Sequence, residues 1–558
     1  MSKPKKPARK NFIQKVDAYI RTYNYLGLVF AVVFFCLSIF PSLLPRSWFF
    51  QGLISGAALA VGYGVGTFGS FATRWLFERD VLVKAKPHAW RVLYVASIVI
   101  IGVFLALGEA WQNELRTLVQ VEPKEQAYVL RVLVLAILVG IGCVRLGRRV
   151  RRLYNWLLVR VDKLMPRRIS VAASFVVMFM FISWVISGAF VGFLGTTSSY
   201  MFDRKNRSTA ANITQPSLPT RSGSTPSHVT WDTIGREGQK FVSQGLSQAE
   251  LQNFSGVAAK QQIRLYSGVN TAPTAQERAD LVVQEIRRTK AFERKIVVIT
   301  IPTGTGWINA PTVDALEYMY NGDTAIVAQQ YSFLPSWISF LVDKERAQET
   351  GKELFNAVYA EWSKLPQDER PKLIMYGLSL GAFGGQAAFS GPGDLVHSID
   401  GALWQGTPGD TELWQEVTRR RDAGTPQWQP VIDQHREIRF ASQNDELPAK
   451  PSDWGSHRVL YLQHGSDPIV WFNFDELPLN EPDWFNEKRA PEVMNNTTWV
   501  PLLSFFQLAA DQVVGMSVPK TYGHNYESTV ARAWATVTTP DNWSEQKSAK
   551  LQSIIDAY

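Results

Sequence analysis

Cysteine is almost missing from this chain of 558 residues: Cys36 and Cys143 are the only two, and both sit inside apolar runs. Residues 196–558 therefore hold no disulfide, and an exported domain of that size without cysteine is more typical of a bacterium than of a eukaryotic secretory protein. Histidine is scarce too, with seven residues. Neither an H-E-x-x-H pattern nor a cysteine pair occurs, so the sequence implies no metal site and no cofactor. Acidic residues are sparse in one region only. Residues 1–195 carry 25 Lys+Arg against 8 Asp+Glu, whereas residues 196–558 carry 33 against 41. The net charge of +9 thus belongs wholly to the N-terminal part, where long apolar runs explain it, and no nucleic-acid partner is implied.

The length calls for two or more domains. The apolar runs Phe49–Ser70, Arg91–Ala110, Tyr128–Val144 and Ser170–Gly195 approach or exceed the roughly 20 residues a helix needs to cross a bilayer. The shorter run Tyr25–Phe40 follows the Lys-rich start Met1 to Lys10 without a small-x-small cleavage site, so it reads as an uncleaved first span. Residues 1–195 are therefore expected to form a transmembrane bundle of about five helices. Seven Lys/Arg precede the first span, four lie between Arg74 and Lys86, and nine between Arg145 and Arg168. The alternate connections hold only Arg46 or the pair Arg116 and Lys124. The positive-inside rule puts the N-terminus in the cytoplasm, and five crossings deliver everything after Gly195 to the outer face. Gly64-Val-Gly66-Thr-Phe-Gly69 matches a dinucleotide-binding pattern, but it lies within an apolar span and follows no strand. Gly52-x-x-x-Gly56 and Gly62-x-x-x-Gly66 read as close helix-packing faces.

Residues 196–230 are rich in Ser, Thr, Pro, Gly and Asn and read as an extracytoplasmic linker. Beyond them, β-branched runs alternate with helical patterns. Candidate strands are Ile263–Val269, Lys295–Thr300, Thr324–Tyr331, Lys372–Tyr376, Gly401–Gln405, Arg458–Gln463 and Val514–Val518. Candidate helices include Thr274–Arg288, Pro311–Tyr320, Trp337–Leu365 and Ala382–Phe389. This alternation implies a mostly parallel sheet covered on both faces by helices over 231–558, with sites at the carboxyl ends of strands.

Lys372-Leu-Ile-Met-Tyr-Gly-Leu-Ser-Leu-Gly-Ala382 places Gly377-x-Ser379-x-Gly381 at the end of a strand and the start of a helix. A serine at such a turn is held in a strained conformation with its hydroxyl above the sheet, and the glycines avoid collisions with neighbouring backbone. Acyl-transfer chemistry then needs a base, a carboxylate and oxyanion donors. In the order Ser…Asp/Glu…His, the acid candidate is Asp467 in His464-Gly-Ser-Asp-Pro468, with Asp410 as the alternative one strand earlier. The base candidate is His524 in Tyr522-Gly-His-Asn-Tyr526, and His464 reads as a structural member of its turn. Candidate oxyanion donors are the backbone N–H of Leu380 and the loop Pro302-Thr-Gly-Thr-Gly-Trp307, specifically Gly304 and Thr305. Trp307 and Trp337 follow strand ends, where they could wall an acyl or sugar cleft.

Several longer motifs occur in order: Pro41-Ser-Leu-Leu-Pro-Arg-Ser-Trp48, Pro302-Thr-Gly-Thr-Gly-Trp307, Gln330-Tyr-Ser-Phe-Leu-Pro-Ser-Trp337, Tyr376-Gly-Leu-Ser-Leu-Gly-Ala382, Tyr461-Leu-Gln-His-Gly-Ser-Asp-Pro468 and Gly523-His-Asn-Tyr526. With them the chain resembles, over nearly its whole length, the actinobacterial multi-span membrane-anchored α/β-hydrolase family, formerly a domain of unknown function. The resemblance implies an α/β-hydrolase fold after the helical bundle, with Ser379, Asp467 and His524 as the catalytic trio. It supplies no substrate. In a mycolate-rich envelope, esters of envelope lipids or acylated glycans become the implied substrates. The expected function is a serine esterase or lipase-like hydrolase at the outer face of the cell membrane. The alternatives are an acyltransferase using the same trio and a non-catalytic envelope assembly protein with a hydrolase-like binding domain.

Overall fold

Strand-forming runs buried on both faces pair in parallel, because the first five are each followed by a helix that carries the chain back across the sheet. The computed structural model describes residues 12–77, 85–122, 127–185, 188, 192–443, 446–447, 454–474 and 479–558. Its seven strands are β1 (Ile263–Ser267), β2 (Ile296–Ile301), β3 (Thr324–Gln329), β4 (Lys372–Leu378), β5 (Gly401–Gln405), β6 (Ile438–Ala441) and β7 (Arg458–Leu462). They lie in the order β1-β3-β2-β4-β5-β7-β6, and every neighbouring pair is parallel. Six of the strands coincide with the runs named above. The seventh expected run does not: Val514 ends the helix Leu503–Val514, and no strand follows it at 515–518. The strand in its place is β6, whose four residues Ile438-Arg-Phe-Ala441 are too few to stand out in the sequence.

One face of the sheet is covered by Ala310–Met319, Val530–Thr538 and Glu545–Ile555, whose Val313, Leu316, Trp534 and Leu551 join Val298, Ile326, Tyr376 and Leu460 in a single core. The other face carries Ala275–Thr289, Lys344–Trp362 and Leu380–Gln386. The expected single helix Trp337–Leu365 is two, Ser336–Val342 and Lys344–Trp362, broken at Asp343. There the carboxylate accepts from Ser332 Oγ at 2.7 Å. All of 196–230 belongs to the sheet unit: residues up to Asn206 form the end of the helix Gly192–Asn206, and Asn206 accepts from Gln330. Arg221 bridges to Arg264 beside β1, and Ser222 and Ser227 donate to the buried Glu285 carboxylate at 3.0 and 2.9 Å.

The chain divides into two compact units. The first comprises Met1–Met180 with Pro478–Asn480 and Met494–Val514, and the second holds the sheet. In the first, Trp48–Phe77, Pro87–Leu118 and Tyr128–Val161 include stretches long and apolar enough to cross a membrane. Tyr25–Leu37 forms, with Gln14–Ile20, a pair bent by 92° that adds a fourth only if counted as one span. Arg167–Ser183 is a 17-residue helix. The continuation of that expected span at 186–187 and 189–191, and the basic start Met1 to Lys10, lie outside the described residues. Glycines set the crossings. A Cβ at Gly62 or Gly66 would stand 2.4 Å from the carbonyl oxygens of Phe30 and Leu26, and one at Gly56 would stand 2.8 Å from that of Ala136. Gly56, Gly62 and Gly66 therefore make backbone contacts, as small residues do in membrane bundles, while Gly52 packs on the Leu135 side chain.

The connection between the helices Tyr25–Leu37 and Trp48–Phe77 is polar and buried. Asp511, from the helix Leu503–Val514, accepts from Arg46 Nε at 3.1 Å, Ser42 Oγ at 2.5 Å and the Leu43 N–H at 3.2 Å. Gln507 Nε2 donates to the carbonyls of Ser38 and Phe40, and Arg46 Nη1 to Gln51.

In the sheet unit, a Cβ at Gly351 would lie 1.9 Å from the Gly384 carbonyl oxygen, so the helices Lys344–Trp362 and Leu380–Gln386 touch backbone to backbone. Gly351→Ala is expected to cost about 1–3 kcal/mol by overpacking. Thermal unfolding in detergent checks this, with Gly393→Ala, which meets nothing within 4 Å, leaving the transition in place.

Candidate active site

Strand β4 runs straight into a tight turn at Ser379, whose φ of 56° and ψ of −124° are unfavourable for a residue with a side chain. The helix Leu380–Gln386 starts at once, so strand and helix share almost no linker. A Cβ at Gly377 would stand 2.4 Å from the Ala382 nitrogen, and one at Gly381 2.2 Å from the Ile301 carbonyl oxygen at the end of β2. Both glycines of the pentapeptide are therefore required by backbone contact. The Ser379 N–H donates to the Gln405 carbonyl at 2.9 Å, and the Gly406 N–H to that of Leu462 at 2.9 Å. These bonds tie together the carboxyl ends of β4, β5 and β7.

The imidazole of His524 lies against that same strand end. Gly406 has φ of 54°, and a Cβ there would come within 2.4 Å of His524 Cε1. Ser379 is thus bonded to the residue preceding the one that His524 touches. His524 Nδ1–H donates to Asp467 Oδ2 at 2.7 Å, and both side chains are buried. His524 Nε2 is buried and, among the described residues, has no hydrogen-bond partner. The loop is held at its start by the His524 N–H bonded to the Gly515 carbonyl at 2.8 Å and by the Gly523 N–H bonded to Ser466 Oγ at 3.0 Å.

Asp467 has more partners than the sequence suggests. Its Oδ1 accepts the Ile469 N–H at 2.8 Å, and its Oδ2 accepts the Tyr526 hydroxyl at 2.5 Å. Burial, reinforced by the Asp467 charge, holds the Tyr526 phenol well above its ordinary pKa, so it remains a donor. His464 stacks on Tyr526 with ring centroids 4.4 Å apart and donates from Nδ1 to the Gly523 carbonyl at 2.8 Å. Asp410, the alternative acid, faces Lys344 Nζ at 3.5 Å, and the carboxylate bonded to His524 is that of Asp467. Neither Tyr526 nor Gly406 stands out in the sequence. The signals available were a tyrosine two residues past the histidine and a glycine directly after β5.

Leu380 is the first residue of its helix, and first-turn amides have no carbonyl behind them within the helix. The loop 302–307 is a closed turn: the Thr303 N–H is bonded to the Trp307 carbonyl at 3.0 Å, and Tyr266 and Gln330 donate to the carbonyls of Gly306 and Thr305. Pro302 borders the elbow at Gly381, while Gly304 packs on Leu334 and Ser336. Among the described residues the N–H groups of Gly304 and Thr305 meet no acceptor. Trp337 is 58% exposed, whereas Trp307 packs on the core.

Comparison with known families matches residues 263–551 to the alpha/beta-hydrolase family and residues 39–245 to the N-terminus of the same family. Comparison with curated proteins and with solved structures gives no match.

Burial lowers the His464 pKa from its ordinary 6.5, against the opposing pull of its Gly523 bond and of Glu492 and Asp467. A ring held neutral in the folded state binds no proton where the unfolded chain does, so stability is lost as pH drops below about 6.5. The unfolding temperature is expected to fall between about pH 7.5 and about pH 5.5, with a shallower fall in His464→Gln. Thermal melts across that range test it.

Proposed function

The chain belongs to the alpha/beta-hydrolase family, and on that premise we propose that it is a membrane-anchored serine hydrolase acting on esters through Ser379, His524 and Asp467. The observation that carries this reading is the Asp467–His524 bond of 2.7 Å, which leaves the opposite imidazole nitrogen without a partner among the described residues, on a ring packed at Gly406, the residue after the Gln405 whose carbonyl takes the Ser379 N–H. In this reading Ser379 Oγ attacks the ester carbonyl while His524 Nε2 takes its proton. Asp467 keeps the ring in the tautomer with Nδ1 protonated and balances the imidazolium that forms. Tyr526 and the Ile469 N–H hold the carboxylate from its other sides, which fixes the ring's direction. The tetrahedral oxyanion takes the Leu380 N–H and a second donor from Gly304 or Thr305.

Collapse of that intermediate releases the alcohol, which receives the proton from Nε2 and leaves an acyl-serine. Water then attacks with His524 again as base, and the acid departs. A second alcohol in place of water makes the same enzyme an acyltransferase. The proposed substrate is an envelope lipid or an acylated glycan. The low Lys and Arg content of the Arg46 connection marks that connection as the outer one, and an even number of further crossings would put the proposed catalytic domain on the same face.

Membranes containing the full chain are to be labelled with a fluorophosphonate probe. Labelling is expected in the wild type and absent in Ser379→Ala, while Asp467→Asn slows ester turnover by about four orders of magnitude and Asp410→Asn does not. Equal labelling of Ser379→Ala would move the nucleophile elsewhere, and an unlabelled wild type would favour the non-catalytic assembly reading. Adding acceptor glycans to an acyl donor separates transfer from hydrolysis.

A further inference from the structure

The helix Leu503–Val514 is built inside out. Its buried face carries Ser504, Gln507 and Asp511 together with Leu503 and Leu508, all at most 5% exposed. Its outer side presents Phe506 and Val513 at 53% and 61% exposure, and Leu502, in the turn just before it, is 42% exposed. A helix at a water-facing surface shows the reverse order, with polar side chains outward. The inner polar groups are satisfied within the helical unit, by the Ser38 and Phe40 carbonyls for Gln507 and by Arg46, Ser42 and Leu43 for Asp511. Asp511 is the only charged residue between Met494 and Val514, and it is neutralised by Arg46.

The spanning-length helices of the same unit are apolar outward in the same way, with Phe68, Ile98 and Leu138 69%, 73% and 63% exposed. Twelve helical residues cover only about 18 Å, well short of the roughly 30 Å hydrocarbon core, so the segment does not cross it. We propose that Met494–Val514 is a membrane-inserted, non-spanning element whose face of Leu502, Phe506 and Val513 meets lipid acyl chains, pinned in place by the Arg46–Asp511 pair. Trp499, just before the helix, suits the interfacial level at which tryptophan prefers to sit. The Arg46 connection and this element then lie toward one side of the bilayer, the poorly basic side, which the charge rule makes the outer one.

The test uses the full chain with Cys36→Ala and Cys143→Ala, reconstituted in phosphatidylcholine–phosphatidylglycerol vesicles. Single cysteines replace Phe506 or Val513 and carry an environment-sensitive fluorophore, with Ile98→Cys as the lipid-facing control and Val257→Cys, in the sheet unit, as the aqueous one. Labels at 506 and 513 are expected to be quenched by nitroxides on the lipid tails and shielded from aqueous iodide, as at 98. Adding Asp511→Ala is expected to raise iodide quenching at 506 several-fold without changing that at 98. Iodide quenching at 506 and 513 equal to that at 257 overturns lipid contact. Shielding from both quenchers assigns the face to a protein partner or a second copy and overturns it too. No change with Asp511→Ala removes the pinning role.

Discussion

The constraint on which the sheet unit depends is the abrupt reversal at Ser379, where strand becomes helix within one residue at positive φ. Such a conformation costs on the order of 1–3 kcal/mol and persists only where the surroundings hold it. Here they hold it from three directions. Gly377 and Gly381 let the helix start close onto β4 and β2, the Ser379 N–H is bonded to the end of β5, and Gly384 brings the same helix into backbone contact with Lys344–Trp362. One of the three strand ends joined there, that of β7, leads into the turn that carries Asp467, and the Asp467 carboxylate holds His524 from the loop after the helix Leu503–Val514.

The parts of this arrangement that could be read from residues alone are those set by local chemistry. Six strands announce themselves as apolar β-branched runs, the elbow as two glycines around a serine, and the Asp467 loop by following a strand, whereas the run expected as a strand before His524 closes a helix. The missed features depend on partners far away in the chain. Gly406 is required only because His524, more than a hundred residues on, rests against it. Tyr526 matters because its hydroxyl reaches Asp467, which no spacing rule encodes. The run Val514–Val518 has the composition of a strand, yet Val514 closes a helix whose buried face is chosen to satisfy Arg46 and two carbonyls. A helix with polar residues inward defeats any reading that assumes the apolar face is the buried one.

Both units bury charge, and each does so by pairing distant segments. In the sheet unit Arg264 on β1 meets Glu317 through two bonds of 2.7 Å and Asp314 through a third, both acids lying on the helix Ala310–Met319. Glu285 gathers Ser222, Ser227, the His228 N–H and Arg288. Such pairs add little net stability over an apolar core, but losing one partner strands the other at a cost of about 3–5 kcal/mol. They therefore act as registration marks, joining the 217–230 stretch to Ala275–Thr289 and the first strand to the helix before β3.

The pair Arg46–Asp511 applies the same logic across 465 positions of sequence. Synthesis at about 5–20 residues per second separates the two side chains by roughly 25–90 s. Throughout that interval the nascent helices carry a guanidinium whose intended counter-charge does not yet exist. The Arg46–Asp511 pair therefore cannot close until the ribosome has passed residue 511. A chain ending before residue 511 leaves Arg46 with the neutral partners Ser42 and Gln51 and no counter-charge.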